Sequence, residues 1–114
     1  MPSRGTSCDT YTKLVYAGVG VVIRRVVVSR TAEKQLQKAP RYIAAKLVQW
    51  IDLVEDEGLE EARRVPGYHD EPLHGARRGQ RSIRLNRSWR AVYVVLKWGK
   101  AEFVRVEEAH KHEY

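Results

Sequence analysis

The sequence predicts an α+β fold in which a curved, mainly antiparallel sheet with an N-terminal strand carries a packed two-helix hairpin. Three observations lead there. Residues 77–93, RRGQRSIRLNRSWRAVY, alternate apolar and polar side chains as a half-buried strand pair does. Residues 21–28, VVIRRVVV, are dense in β-branched side chains, which suit a pleated strand. Between them Ile43, Leu47, Trp50, Ile51 and Val54 recur at intervals of three and four, the stripe of a helix laid on a sheet.

In chain order, residues 1–20 begin with a dozen positions rich in Gly, Ser, Thr and Pro, and the apolar run that follows is broken by Gly18 and Gly20. A loose arm is expected there, with the folded domain spanning residues 21–114. The nearly continuous apolar run of residues 21–28 suggests a central strand. Ser29 is placed to cap a helix over residues 30–38, with Glu33 in the first turn where the helix dipole favours an anion. Pro40 suits the first position of a second helix that runs to about Glu57 and stops at Gly58. Two adjacent helices with a proline between them form a hairpin, and their joint apolar face needs one sheet to cover it.

Glu55, Asp56, Glu57, Glu60 and Glu61, followed by Arg63 and Arg64, read as a solvated helix end. Pro66-Gly67 marks a turn, and residues 68–75 (YHDEPLHG) make a loop of ionisable groups with Leu73 expected as its anchor. In the hairpin over residues 79–95, pairing Arg84 with Arg90 across Asn86-Arg87-Ser88 sets Ile83 opposite Ala91 and Leu85 opposite Trp89 on one apolar face. Gln80, Ser82, Arg84 and Arg90 then share the other face. A two-residue connection would pair Arg84 with Trp89 and mix charge into the apolar side, so the three-residue connection is preferred. A turn at Gly99-Lys100 leads to a last strand from Ala101 to about Ala109.

A chain of 114 residues, 43% hydrophobic and 31% charged, is long enough for one domain with a real core. Its formal net charge of +7 favours a polyanionic partner, nucleic acid or acidic protein. The single cysteine, Cys8, excludes an internal disulfide and a cysteine-rich zinc site, which fits a reducing, cytoplasmic setting. The apolar residues 14–23 are too few to span a membrane and lack the frame of a secretory signal.

The chemistry-bearing residues lie in the loop, the arginine hairpin and the C-terminal tail. His69, His74, His110 and His112 show no recognised zinc spacing, and neither a Gly-rich phosphate loop nor a serine elbow is present, so no metal or cofactor is expected. Arg77, Arg78, Arg81, Arg84, Arg87 and Arg90 crowd one segment without an acidic residue. A pair of guanidiniums held side by side suits an intervening phosphate, and a solvated arginine face is the alternative reading. Glu71 or a histidine has the chemistry to take a proton, and His112 or Tyr114 to deliver one.

The order strand, two helices, three antiparallel strands, with PLHG followed by GQRSIRLNRSWRAVY, resembles the RelE/ParE superfamily of bacterial toxins, especially its RelE, HigB and YoeB ribonuclease branches. The resemblance spans about residues 21–114 and is most specific over SIRLN to WRAVY. It implies a toxin of a type II toxin-antitoxin pair that enters the ribosomal A site and cuts messenger RNA. The ribose 2′-hydroxyl would serve as nucleophile, no metal would be needed, and a cognate antitoxin, expected to be of helix-turn-helix type, would hold the enzyme inactive.

By that resemblance Arg90 contacts the scissile phosphate and Arg84 is a basic residue of the preceding strand. Ser82 stands where RelE carries a second lysine, a departure from the RelE pattern. Glu71 matches the position of a catalytic glutamate in YoeB-like members and a histidine in HigB-like ones. His112 and Tyr114 resemble the terminal acid and aromatic residue, with His110 as the fallback acid. Lys111 and Arg77, Arg78, Arg81, Arg84 and Arg87 are expected RNA contacts. Glu71 paired with Arg77 or Arg78 as a structural ion pair is the alternative, and the tail residues alternatively belong to a frayed end. The competing functions are ParE-like inhibition of DNA gyrase without catalysis and plain RNA binding.

Overall fold

A computed structural model describes residues 22–111. The expected arm, His112 and Tyr114 lie outside the described residues. Five strands and three helices follow one another as β1 (Val26–Val28), α1 (Arg30–Lys38), α2 (Arg41–Glu57), α3 (Leu59–Arg63), β2 (Glu71–Pro72), β3 (Arg81–Arg84), β4 (Trp89–Trp98) and β5 (Ala101–Lys111). The sheet order is β1-β5-β4-β3-β2, antiparallel throughout except for β1 beside β5.

The strand expected at the centre of the sheet is an edge strand. Only three of its residues pair, parallel to β5, and Val27 is 38% exposed. Its inner face, Val26 and Val28, packs against the core while Arg25 and Val27 face away, and an apolar run does not by itself distinguish such an edge from a central position. Its approach is fixed by the Leu59 N–H donating to the Ile23 carbonyl at 2.8 Å. Gly58 makes that approach possible: its φ of +95° is in the glycine-favoured region, and a Cβ there would sit 2.5 Å from a Val22 methyl.

The first helix keeps its expected bounds, and the Ser29 hydroxyl accepts from the Ala32 N–H at 3.0 Å as a cap should. Pro40 lies one place outside the second helix, as its N-cap residue, and its carbonyl accepts from Ile43 N–H at 2.9 Å. The stripe of Ile43, Leu47, Trp50 and Val54 is buried against Ile83, Ala91, Tyr93, Val104, Val106 and Ala109. Trp50 and Tyr93 meet with ring centroids 5.0 Å apart. All of this lies on one face; no helix among the described residues covers the other.

The β3–β4 register is the expected one, Arg84 opposite Arg90 and Ile83 opposite Ala91. Asn86 holds the connection by accepting from the N–H groups of Ser88 and Trp89 at 2.7 and 2.8 Å. The loop after the helices is more ordered than expected, since Glu71–Pro72 pairs with β3 as a fifth strand. Its anchor is Tyr68, 6% exposed, rather than Leu73, which is half-buried and lies outside the core.

One irregularity decides which side chains face the open side. Val92 pairs with Glu108 but Tyr93 pairs with Val106, so Glu107 is an extra residue, a β-bulge. Val104 and Val106 point into the core, and by strict alternation residues 108 and 110 would follow them. The bulge reverses that parity: Ala109 goes into the core, and Glu108 and His110 turn outward. Helix α1 pins it. The Ser29 hydroxyl donates to the Glu107 carbonyl at 2.9 Å, and the Gln35 side-chain oxygen accepts from Ala109 N–H at 2.7 Å.

Candidate active site

The open face of the sheet carries two cross-strand rows. Glu71, Ser82, Val92 and Glu108 stand in register across β2, β3, β4 and β5, and Arg84, Arg90 and His110 form the row beside it. Cross-strand neighbours are close enough for their side chains to meet. Together with Leu73 and Arg77 from the β2–β3 connection, Glu71, Ser82, Arg90, Val92 and His110 line a cleft of about 360 Å³. Val92 is its apolar floor, 3% exposed although it belongs to the face away from the helices.

Two charged chains converge there. Glu71 lies between His69, whose Nε2 is 3.5 Å from its Oε1, and Arg90, whose Nη1 is 3.7 Å from its Oε2. His69 adopts a left-handed conformation, φ 48°, the one non-glycine residue to do so among the described residues. Arg90 Nη1 also donates to Ser82 Oγ at 3.4 Å. Both Arg90 contacts are long, so the guanidinium is held near the cleft without being saturated. Just outside the lining, Glu108 accepts from Arg77 Nη2 at 2.7 Å and lies 3.3 Å from His110 Nε2. Neither expected alternative partner pairs with Glu71, whose ion-pair contacts are His69 and Arg90: Arg77 bonds Glu108 and Gln80, and Arg78 is exposed beyond the cleft.

Behind the cleft lies a buried network that sequence reasoning missed. The Asp70 side chain is fully buried, accepting from Arg81 Nε and from the Tyr93 hydroxyl, each at 2.6 Å. Burial, then the Asp70 carboxylate, pushes the Tyr93 phenol far above its usual range. Burial works against the Arg81 charge, and Asp70 outweighs it and raises the guanidinium further. Nothing in YHDEPLHG distinguishes Asp70 from its ionisable neighbours. The network fixes the residue before Glu71 to the residue before Ser82.

The site residues expected from sequence thus divide. Glu71, Arg77, Arg90 and the fallback acid His110 come together. Arg81 is turned inward to Asp70. Arg78, Arg84, Arg87 and Lys111 are exposed beyond the cleft lining, and Arg84, although opposite Arg90 in the ladder, does not join it there. Glu108 was missed because its placement depends on the bulge. Among the described residues no cluster of three His, Cys, Asp or Glu side chains is placed to hold a metal ion, and no helix is long and apolar enough to cross a membrane.

Toxins of bacterial toxin-antitoxin pairs share this architecture. The chain aligns with YafQ from E. coli strain BL21(DE3) at a TM-score of 0.59 and 21% identity, over 77% of this chain and 92% of YafQ. With a YoeB/ParE toxin from Agrobacterium tumefaciens the TM-score is 0.55 at 23% identity, over 78% and 99% of the two chains. A chain of the RelBE2 toxin-antitoxin complex from Mycobacterium tuberculosis gives 0.56 at 22% identity, over 81% and 100%. No protein-family model matches the sequence, and no curated protein matches it. At these identities the shared property is the fold, and the fold is that of the RelE/ParE-like toxins.

Proposed function

We propose that this protein is the toxin of a type II toxin-antitoxin pair and a metal-independent endoribonuclease that cuts messenger RNA on the ribosome. The observation that carries the reading is the cleft, where a carboxylate, a guanidinium and an imidazole from three strands face one open space. Glu71 takes the proton of the ribose 2′-hydroxyl, and the freed oxygen attacks the adjacent phosphorus. Arg90 stabilises the charge that builds on the phosphate oxygens. The 5′-oxygen leaves with a proton from a histidine of the last strand, for which the geometry supports His110, oriented by Glu108. The products are a 2′,3′-cyclic phosphate and a 5′-hydroxyl.

His112 and Tyr114 remain candidates beside it, as the acid and as an aromatic contact. Arg77, Arg78, Arg84, Arg87 and Lys111 supply the surrounding positive field for messenger and ribosomal RNA, and Arg81 acts through Asp70. The partner is an antitoxin, of helix-turn-helix type, in the cytoplasm. Residues 21–114 are the domain that acts, and residues 1–20 an arm outside it. Solved complexes of similar fold, including the DinJ-YafQ toxin-antitoxin complex, support an antitoxin as partner. The test is induction in growing cells, with messages mapped for new 5′ ends and plasmid supercoiling followed in parallel. Messages cut at discrete sites with supercoiling intact are expected; intact messages with lost supercoiling would replace this reading by gyrase inhibition.

A further inference from the structure

Far from the cleft, at the tip of the β4–β5 hairpin, Trp98 is 81% exposed. Its indole borders a recess of about 210 Å³ lined otherwise by Arg25, Val27, Ala101 and Phe103. Among the described residues Arg63, Arg64, Arg77, Arg81 and Arg105 are each paired with a carboxylate. Other exposed cations, Arg78, Arg84, Arg87 and Lys111 among them, make no such pair, and those around Trp98 belong with these. Arg25 and Lys100 are exposed and neither makes an ion pair among the described residues, while Lys97 stands on the other face of β4, opposite Glu102. An aromatic face left open among unneutralised cations is complementary to a nucleobase with its flanking phosphates.

We infer that Trp98 and Arg25 form a second RNA contact, a stacking site for one unpaired base of a single strand whose phosphates meet Arg25 and Lys100. The recess has room for one flat ring, with Phe103, Ala101 and Val27 as its apolar wall. Position supports the same occupant. Arg90, Val92, Val94, Leu96 and Trp98 alternate onto the open face of β4, so the site lies on the same face as the cleft, about 26 Å away at the rise of a strand. A few nucleotides of extended chain reach from one to the other. This inference rests on RNA being the ligand, as in the proposed function, but not on catalysis.

Binding of a short 2′-O-methyl RNA single strand, which a 2′-hydroxyl mechanism cannot cut, tests it on the full chain. Affinity is read by anisotropy of a dye on the RNA and site occupancy by tryptophan emission. Trp50 is fully buried, so the exposed emitter is mainly Trp98, and Trp98→Phe separates its signal from that of half-buried Trp89. Trp98→Phe should keep most of the affinity. Trp98→Ala should weaken binding about five- to a hundredfold while the melting temperature stays put, because so exposed a ring contributes little to the fold. RNA binding that is unchanged in Trp98→Ala overturns the stacking site and leaves the proposed function standing. If polyglutamate quenches Trp98 and loses as much affinity in Trp98→Ala, the patch is a face for an acidic protein instead. RNA that binds neither the variants nor the parent overturns the stacking site, while cleavage of ribosome-bound message tests the proposed function separately.

Discussion

Arg90 and Glu71 are 3.7 Å apart, near enough to attract and too far for a direct hydrogen bond. A phosphate entering the cleft can therefore take the guanidinium without breaking a tight pair, leaving the Glu71 carboxylate beside it. The Arg90 side chain retains 17% exposure and makes only long contacts, so Arg90→Ala should alter the melting temperature little. Cleavage of ribosome-bound message should fall about a hundred- to a thousandfold, the loss of one transition-state contact of roughly 3 to 4 kcal/mol. Full cleavage by folded Arg90→Ala would remove it from the mechanism. The histidines are separated by two substitutions measured in single turnover. His110→Gln should slow cleavage about a hundredfold or more, as loss of a positioned acid does, and His112→Gln should slow it much less; the reverse order would move the acid to the tail.

At the scale of elements, the cap of the first helix and the bulge of the last strand are one device. The Ser29 hydroxyl serves both, accepting from Ala32 N–H and donating to the Glu107 carbonyl. Ser29→Ala should cost about 1 kcal/mol in chemical denaturation, the usual loss of a cap. It should also lower the cleavage rate without changing ribosome affinity, because the bulge orients His110. An unchanged rate would mean that the bulge holds without the hydroxyl. The Asp70 network gives a pH signature. Burial raises the phenols of Tyr93 and Tyr68 above 10.0 in the folded state. Their protonated form is kept by folding, so this contribution is intact below about pH 10 and is lost as pH climbs further and the unfolded chain ionises first. Tyr93→Phe should cost roughly 1.5 to 3 kcal/mol at neutral pH, since the lost bond goes to a carboxylate. Its stability should then decline less steeply above pH 10 than that of the parent, and an identical alkaline slope would count against the network.

Across the whole molecule, what was legible in the sequence was whatever depends on local period and chain reversal. The β3–β4 register followed from alternation and the length of Asn86-Arg87-Ser88, and the helix stripe from its spacing. Three features were not legible because each is set by distant partners. The edge position of β1 depends on parallel pairing with β5, some 78 residues on, which an apolar run does not encode. The inward turn of Asp70 and Arg81 depends on Tyr93. The outward turn of Glu108 and His110 depends on one extra residue, Glu107, held by a helix on the far side of the sheet strand. Of the site, the sequence therefore pointed to Glu71, Arg77 and Arg90 and named His110 only as a fallback.

In the proposed mechanism the cleft cuts RNA through the ribose 2′-hydroxyl, with a base on one side and an acid on the other. The direct test is single-turnover cleavage of a ribosome-bound message carrying a single 2′-deoxy substitution at the cut site, with binding followed separately. The deoxy message should bind as the parent does and stay whole, while the unsubstituted message is cut to a 2′,3′-cyclic phosphate. Cleavage of the deoxy message at the parent rate would contradict this mechanism.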